Sequence, residues 1–433
     1  MYGNRRRFLA NSTQALAGAA TISLPAIVSP RAFGKPTSAA PSDRIRLGFI
    51  GVGNRGGQNL EGFLEMDDRI AVAAVCEVDS TRLAEAHRTV KQATGRDCAA
   101  YADYRHLLDD KNVDAVVITT PDHWHALMTI DACRANKDVY CEKPLTLTIA
   151  EGQAMVAAAR SSKGIVQTGS QQRSDDKFRR ACELVRSGRI GKVHTVRVGI
   201  SGVNFKGDPA KDGPAPPELD YDFWLGPARQ RPYNAGRVHY NFRFFWDYSG
   251  GQMTNWGAHH LDIAQWGLGM DESGPISAVG KARYNKGGVF EVPEWSEVIY
   301  QYADGTTLIC GQGEPGGTTF EGKSGKIYVT RDKLESTPAD IVETPLADSD
   351  VHLYESRDHY GNWLDCIRTR ELPICDVAIG HRSATVCHLG NIAIRTQKKV
   401  QWDPAKEQVI GDAEIAQMTS RPYRSPWSLP ATS

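Results

Sequence analysis

Between residues 43 and 170, short apolar runs alternate with longer stretches of helical spacing. The runs 45–50, 70–75, 113–119, 138–141 and 164–167 predict strands. The intervening segments 57–65, 81–94, 104–109, 123–135 and 149–161 predict helices. This alternation predicts a parallel sheet with helices on both faces. Ligands bind at the carboxyl ends of the strands in such a sheet. Gly51, Glu77, Thr120 and the run from Cys141 to Lys143 belong at those ends.

After residue 170 the pattern changes. Segment 177–187 predicts a helix, and 193–200 alternates as a strand does. The Pro- and Gly-rich stretch 206–219 predicts a surface loop. Helical spacing at 256–268 precedes strand patterns at 276–284, 295–302 and 306–312. The last two meet across Asp304-Gly305, a hairpin signal. Helical spacing returns at 354–368 and 381–396. This half predicts a largely antiparallel sheet with a few helices. The expected division is a leader and linker at 1–42, a doubly wound α/β domain at 43–170, an α+β open-sheet domain at 171–404 and a tail at 405–433.

The first strand runs into Gly51-Val-Gly53-Asn54-Arg55-Gly56. Glycines let the backbone turn tightly and approach a pyrophosphate, whose charge a helix N-terminus favours. The second strand ends at Glu77, 21 residues after Gly56. A carboxylate there accepts hydrogen bonds from an adenosine ribose and repels a 2′-phosphate, so NAD is expected in preference to NADP. Arg55, inside the turn, is the residue that argues the other way.

Asn4-Arg5-Arg6-Arg7-Phe8-Leu9 and the mildly apolar stretch 15–28 read as a signal peptide. The paired arginines before Phe-Leu resemble a twin-arginine export signal. The stretch is broken by Gly18 and Pro25 and is too short for a stable membrane anchor. An exported nicotinamide enzyme has no free cofactor pool, so its cofactor is expected to stay bound and to be regenerated in place. Basic and acidic residues number 51 each, and the first 34 residues hold four arginines and no acid. The remainder is therefore slightly acidic, and nothing in it suggests a nucleic-acid partner, so none is expected. Nine cysteines without a C-x-x-C pair read as mostly buried thiols, Cys76 and Cys141 included.

Thr120-Pro121-Asp122-His123-Trp124-His125, followed by Glu142-Lys143-Pro144 and preceded by the glycine turn, resembles the Gfo/Idh/MocA oxidoreductases. Trp224-Leu-Gly-Pro, Phe245-Trp-Asp-Tyr-Ser-Gly-Gly-Gln, the run from Trp256 to Asp262 and the run from Cys375 to Arg382 are similar to its exported bacterial members. The resemblance implies a Rossmann domain with a nicotinamide dinucleotide across the strand ends. It further implies a sugar or cyclitol on an open-sheet domain, and a homo-oligomer. Cofactor contacts are expected from Gly51, Gly53, Asn54, Arg55, Gly56, Glu77, Thr120, Pro121, His123, His125, Glu142 and Lys143.

Lys143 matches the active-site lysine of the family. A residue before proline is biased to extended backbone, so Lys143 is expected to project from a strand end beside the nicotinamide. An ammonium there stabilises an alkoxide and shuttles a proton. His259 matches the family histidine, with Asn255 where relatives often carry Asp. A spacing of four puts both on one helical face if the helix has begun, and Asp262 is placed to orient the ring. His260 lies about 100° further round and points elsewhere, unless the helix starts later. Gln172, Arg173, His239, Tyr240, Arg243, Trp246 and Asp247 are candidate sugar contacts. No histidine or cysteine spacing requires a metal. The leading expectation is a periplasmic sugar oxidoreductase. Redox-assisted glycoside cleavage, with transient oxidation commonly at C3, and a non-catalytic sugar-responsive protein are the alternatives.

Overall fold

The computed structural model describes residues 43–205, 211–285 and 288–430. The export leader expected over 1–42 lies outside the described residues. Strands β1 (Ile45–Ile50), β2 (Ile70–Cys76), β3 (Ala99–Tyr101), β4 (Ala115–Ile118), β5 (Asp138–Cys141) and β6 (Val166–Thr168) form a six-stranded sheet in the order β3-β2-β1-β4-β5-β6. All five pairings are parallel, and the order reverses between β1 and β4. That reversal opens the crevice in which doubly wound sheets bind ligands. Residues of β1, β2, β4 and β5 alternate between two apolar cores, one on each face, as a fully buried parallel sheet requires. β1 and β5 match the apolar runs, β2 extends one residue further, β4 is shorter than its run, β6 starts later, and β3 carries no run that marked it.

Strands β7 (Val193–Gly199), β8 (Ser277–Arg283), β9 (Trp295–Gln301), β10 (Thr307–Gly311), β11 (Gly317–Gly322), β12 (Gly325–Val329), β13 (Leu334–Thr337), β14 (Val400–Asp403) and β15 (Gln408–Val409) form the second sheet. Its order is β13-β12-β11-β7-β10-β9-β8-β14-β15, antiparallel except for β7 beside β10. One face packs on helices Asp176–Arg186, Gly257–Leu268 and Val377–Thr396 through Val196, Val298, Tyr300, Phe320 and Ile392. The other face leaves Val279 and Ile299 exposed.

Two departures from the sequence reading shape the site. The described part of the Pro- and Gly-rich stretch, 211–219, does not run free of the first sheet. Ser80 N–H donates to the Glu218 carbonyl (2.9 Å), and Asp220 N–H donates to the Val78 carbonyl (3.0 Å). The chain therefore pairs with the end of β2. The stretch read as a tail, 405–433, carries β15 and helix Ala413–Gln417, and then Tyr423, Trp427 and Leu429 pack on the core of the first sheet. Helix His359–Thr369 also returns to that sheet, with Trp363 and Leu364 buried against it. Distant residues thus complete the first domain. All nine cysteines are unpaired, and all but Cys98 are buried. No helix among the described residues is long and apolar enough to cross a membrane.

Candidate active site

The carboxyl ends of β1, β2, β4 and β5 open into a cavity of about 430 Å³. Gly51, Gly53, Asn54, Arg55, Glu77, Thr120, Pro121, Glu142 and Lys143 line it, and His239, Tyr240, Arg243 and Asn255 face them. The glycine turn explains its own composition. Gly51 has φ +79°, and a Cβ there would lie 2.9 Å from the Thr119 carbonyl. A Cβ on Gly56 would lie 2.0 Å from the Gly51 oxygen. Gly56 is off the cavity wall: its bareness lets helix Arg55–Leu64 start against the turn.

Glu77 ends β2 with its carboxylate toward the turn. It accepts from the N–H groups of Val52 (3.1 Å), Val78 (2.9 Å) and Asp79 (3.3 Å). Burial pushes the carboxyl above its usual range, while these amides and Arg82 act against it. Arg82 lies across the turn, where a Cβ on Gly53 would sit 2.1 Å from its Nη1. Arg55, the cation expected to argue for NADP, instead pairs with Glu142 (3.0 Å). Glycines that a Cβ would block, a carboxylate at the second strand end and arginines on the wall fit a nicotinamide dinucleotide.

Lys143 Nζ donates to the Asn255 carbonyl (3.1 Å) and to its Oδ1 (3.0 Å). Its own N–H donates to Glu142 Oε2 (3.1 Å), whose other oxygen takes Arg55 and Asn59. Burial, helped by the Arg243 and Arg55 cations, pulls the Lys143 ammonium down to about 8 against Glu142 and Asp122. Asp122 also lines the cavity, buried and bonded by Ser249 Oγ. It stood inside the recognised motif without an assigned role. Arg82, Phe223 and Trp224 are further wall residues that local spacing did not mark.

His259 and His260 do not line the cavity. The helix begins at Gly257, after a separate short helix Gly251–Asn255, so Asn255 and His259 share no helical face. Asn255 holds Lys143 instead. Both imidazoles are 5% exposed, and each has a buried Nδ1 without a partner among the described residues. Burial pulls His259 well below its usual value, with Lys143 leading the cations that add to the effect. His260 falls to about 4 through burial and Arg331, with no contribution from Lys143. Its ring lies flat on Trp256, 5.7 Å away at 15°. Of the two rings, only His259 feels the Lys143 charge. Asp262 does not orient the His259 ring.

Five expected contacts have structural duties elsewhere. Arg173 is 1% exposed and forks onto Asp262 (2.9 Å) and Asp271 (2.7 Å), with Trp266 beneath. Such a buried, doubly paired guanidinium is not offered to a sugar. Trp246 donates to Glu291, and Asp247 pairs with Arg231 (2.9 Å), both off the cavity. His123 donates from Nε2 to the Trp224 carbonyl (3.0 Å). Burial drives it down to about 3, so its ring is neutral. His125 has carbonyl oxygens at both nitrogens, Pro144 at 2.8 Å and Thr120 at 2.9 Å. Both nitrogens must therefore carry protons. Burial opposes that charge, but Cys141, Asp122 and the Pro144 carbonyl outweigh it and hold the ring up to about 10. His125 clamps two cavity loops together and does not line the cavity. Gln172 is buried off the wall, with both amide atoms unpartnered among the described residues. Among those residues, no group of three His, Cys, Asp or Glu could hold a metal.

Comparison with known proteins agrees with this geometry. The family model for the oxidoreductase family, NAD-binding Rossmann fold, matches residues 45–170. The model for the C-terminal alpha/beta domain of the same family matches residues 177–429. The chain is 35% identical over 177 residues to a myo-inositol 2-dehydrogenase of Thermotoga maritima, covering 41% of this chain and 48% of that protein. It is 30% identical over 230 residues to an alpha-N-acetylgalactosaminidase of Shewanella oneidensis, covering 47% and 49%. The match thus spans about half the length of these relatives. An aldose-aldose oxidoreductase of Caulobacter crescentus shares the fold with a TM-score of 0.61 at 19% identity, over 83% of this chain and 99% of that one. The WlbA dehydrogenase of Bordetella pertussis, solved with NADH and UDP-GlcNAcA, does so with a TM-score of 0.61 at 18% identity, over 83% and 99%. A Rossmann sheet with its glycine turn, an open antiparallel sheet and a Glu-Lys-Pro lysine between them mark this chain as a member of the Gfo/Idh/MocA oxidoreductase family.

Proposed function

We propose that the chain is an exported NAD-dependent oxidoreductase acting on a sugar, cyclitol or glycoside, with a dinucleotide that stays bound between turnovers. The observation that carries this is Lys143. Its amine sits on the wall shared with the glycine turn and is aimed by both oxygens of Asn255. A nicotinamide held there supplies the site with a hydride acceptor and donor. Lys143 takes the proton of the substrate hydroxyl, and its depressed value suits that task near neutral pH. Tyr240 and Arg243, whose guanidinium stacks 4.7 Å over the tyrosine ring, offer a sugar an aromatic and a charged contact. The basic start of the chain supports export, and the uncovered face of the second sheet supports a homo-oligomer.

A second reading, redox-neutral glycoside cleavage, is favoured by the similarity to the alpha-N-acetylgalactosaminidase. One experiment addresses both. Native protein is denatured and the released dinucleotide identified, and intact protein is incubated with a glycoside panel without added cofactor. Mainly NAD in the extract is expected, since Glu77 repels a 2′-phosphate. Mainly NADP, met by Arg82, overturns the preference, and an empty protein that needs millimolar-scale added NAD overturns retention. Cleaved glycosides select the second reading over net oxidation.

The Lys143 amine also sets an expected pH profile. As a base it must be neutral, so kcat/KM for substrate oxidation rises with pH and levels off above about 8. A flat profile through that region, with cofactor still bound, removes Lys143 from the proton step.

A further inference from the structure

We propose that residues 421–427 are a buckle that holds the dinucleotide cleft shut, and that Arg424 sets the rate at which cofactor leaves. The proposal rests on the reading of the cavity as a dinucleotide site. That cavity has two walls. The strand ends form one, and Leu219, Phe223 and Trp224 form part of the other. The second wall has a small apolar core of its own, with Leu225 and Tyr248 beneath Trp224. It meets the end of β2, next to Glu77, through the two backbone hydrogen bonds at Val78 and Ser80. It meets helix Asp122–Arg134 through the Trp224 carbonyl, which accepts from His123 Nε2 (3.0 Å) and Trp124 Nε1 (3.0 Å). The backbone pair adds little net hold, because water replaces it when it opens.

The C-terminal segment adds a further hold by gripping both walls. On the far wall Arg424 donates from Nε to the Gly226 carbonyl (2.8 Å), from Nη2 to the Asp222 carbonyl (2.8 Å) and from Nη1 to the Asp222 carboxylate. Its backbone N–H donates to the Pro227 carbonyl (3.0 Å). On the strand-end wall Arg421 donates to Glu151 (2.8 Å) and to the His123 carbonyl (2.9 Å), and Tyr423 donates to the same Glu151 oxygen (2.7 Å). Glu151 is 0% exposed and also caps its own helix, so this anchor is rigid. Between the grips, Trp427 packs edge-on to Trp124 (4.9 Å) and against Phe223 (5.9 Å). Those two rings belong to opposite walls of the cavity. Parting the walls therefore strips Arg424 of its contacts and splits the aromatic cluster. Arg424 itself does not line the cavity, so it acts on release through Asp222 and Gly226.

The test loads wild type and Arg424→Ala with NAD and follows loss of bound dinucleotide after rapid dilution, by nucleotide content against time. Release is expected to be about 10- to 100-fold faster in the variant, in line with losing several charge-assisted hydrogen bonds. Arg382→Ala serves as control, since Arg382 bonds the Pro404 carbonyl and Glu407, outside residues 421–427, and does not line the cavity. Its release rate is expected to match wild type even if its thermal stability falls. Should Arg424→Ala fail to fold, Asp222→Ala removes the carboxylate partner from a side chain 75% exposed and is read in the same way. Equal release from wild type and the folded buckle variant overturns the proposal. The nucleotide content of wild type as purified bears only on retention in the native protein, and failure of wild type to take up NAD at all overturns the reading of the cavity.

Discussion

Lys143→Met is expected to lower kcat by about 10²- to 10⁴-fold, the range for losing a positioned general acid or base. The protein should keep its fold and its dinucleotide. Methionine preserves most of the side-chain volume and removes both the charge and the titrating amine. The wall of the cavity stays intact, because Glu142 is held by Arg55 and Asn59 as well as by the Lys143 backbone. Stability should hold or rise. Burial pulls the folded-state value down to about 8, below the unfolded value of about 10.4. The folded protein is therefore penalised for carrying the charge at pH values under the folded value, and the penalty fades as pH climbs toward the unfolded one. Methionine escapes it. Turnover of the variant on the preferred substrate, with dinucleotide content and thermal midpoint in parallel, checks the assignment. Turnover like wild type, with cofactor bound, would sink it.

The parts of this site that were legible in the sequence lie next to one another along the chain. Gly51, Gly53, Glu77, Thr120 and Lys143 were found because each sits at the end of an apolar run. A parallel sheet delivers all its strand ends to one edge. His125 and Gly56 belong to the same motifs, yet they serve the backbone: one ties the Thr120 and Pro144 carbonyls together, the other lets a helix meet a turn. A motif marks positions that matter without separating ligand contacts from the supports of those contacts. Arg173 shows the same limit from the other side. A polar side chain near a predicted site looks available, but its partners are Asp262 on helix Gly257–Leu268 and Asp271 just beyond that helix, about 90 to 100 residues away. The buckle was not legible at all. Prolines and glycines at 206–219 argue for loop by local chemistry. Nothing local says that residues 218–220 will find the end of β2, or that Asp222 and Gly226 just after them will be gripped by Arg424, some 200 residues later.

His259→Ala is expected to lower kcat by about 10²-fold or more, and His260→Ala by only a few fold. The two neighbours differ in what surrounds them. Lys143 is foremost among the cations that depress His259 and does not act on His260. His260 is stacked on Trp256, so loss of its ring is felt as packing. The start of the helix at Gly257 bears on the choice. It cuts the expected link between Asn255 and His259 and gives Asn255 to Lys143, whose charge is felt at His259. Because burial holds His259 far below its usual value, its ring stays neutral across the working range. The His259→Ala variant should therefore lose kcat without moving the titration near 8 that belongs to Lys143. Thermal stability should show the reverse ranking, with His260→Ala the more damaging. Both variants measured on one substrate, for kcat, pH profile and thermal midpoint, decide between the rings. A larger kcat loss for His260→Ala at unchanged stability would assign the proton step to the ring on Trp256.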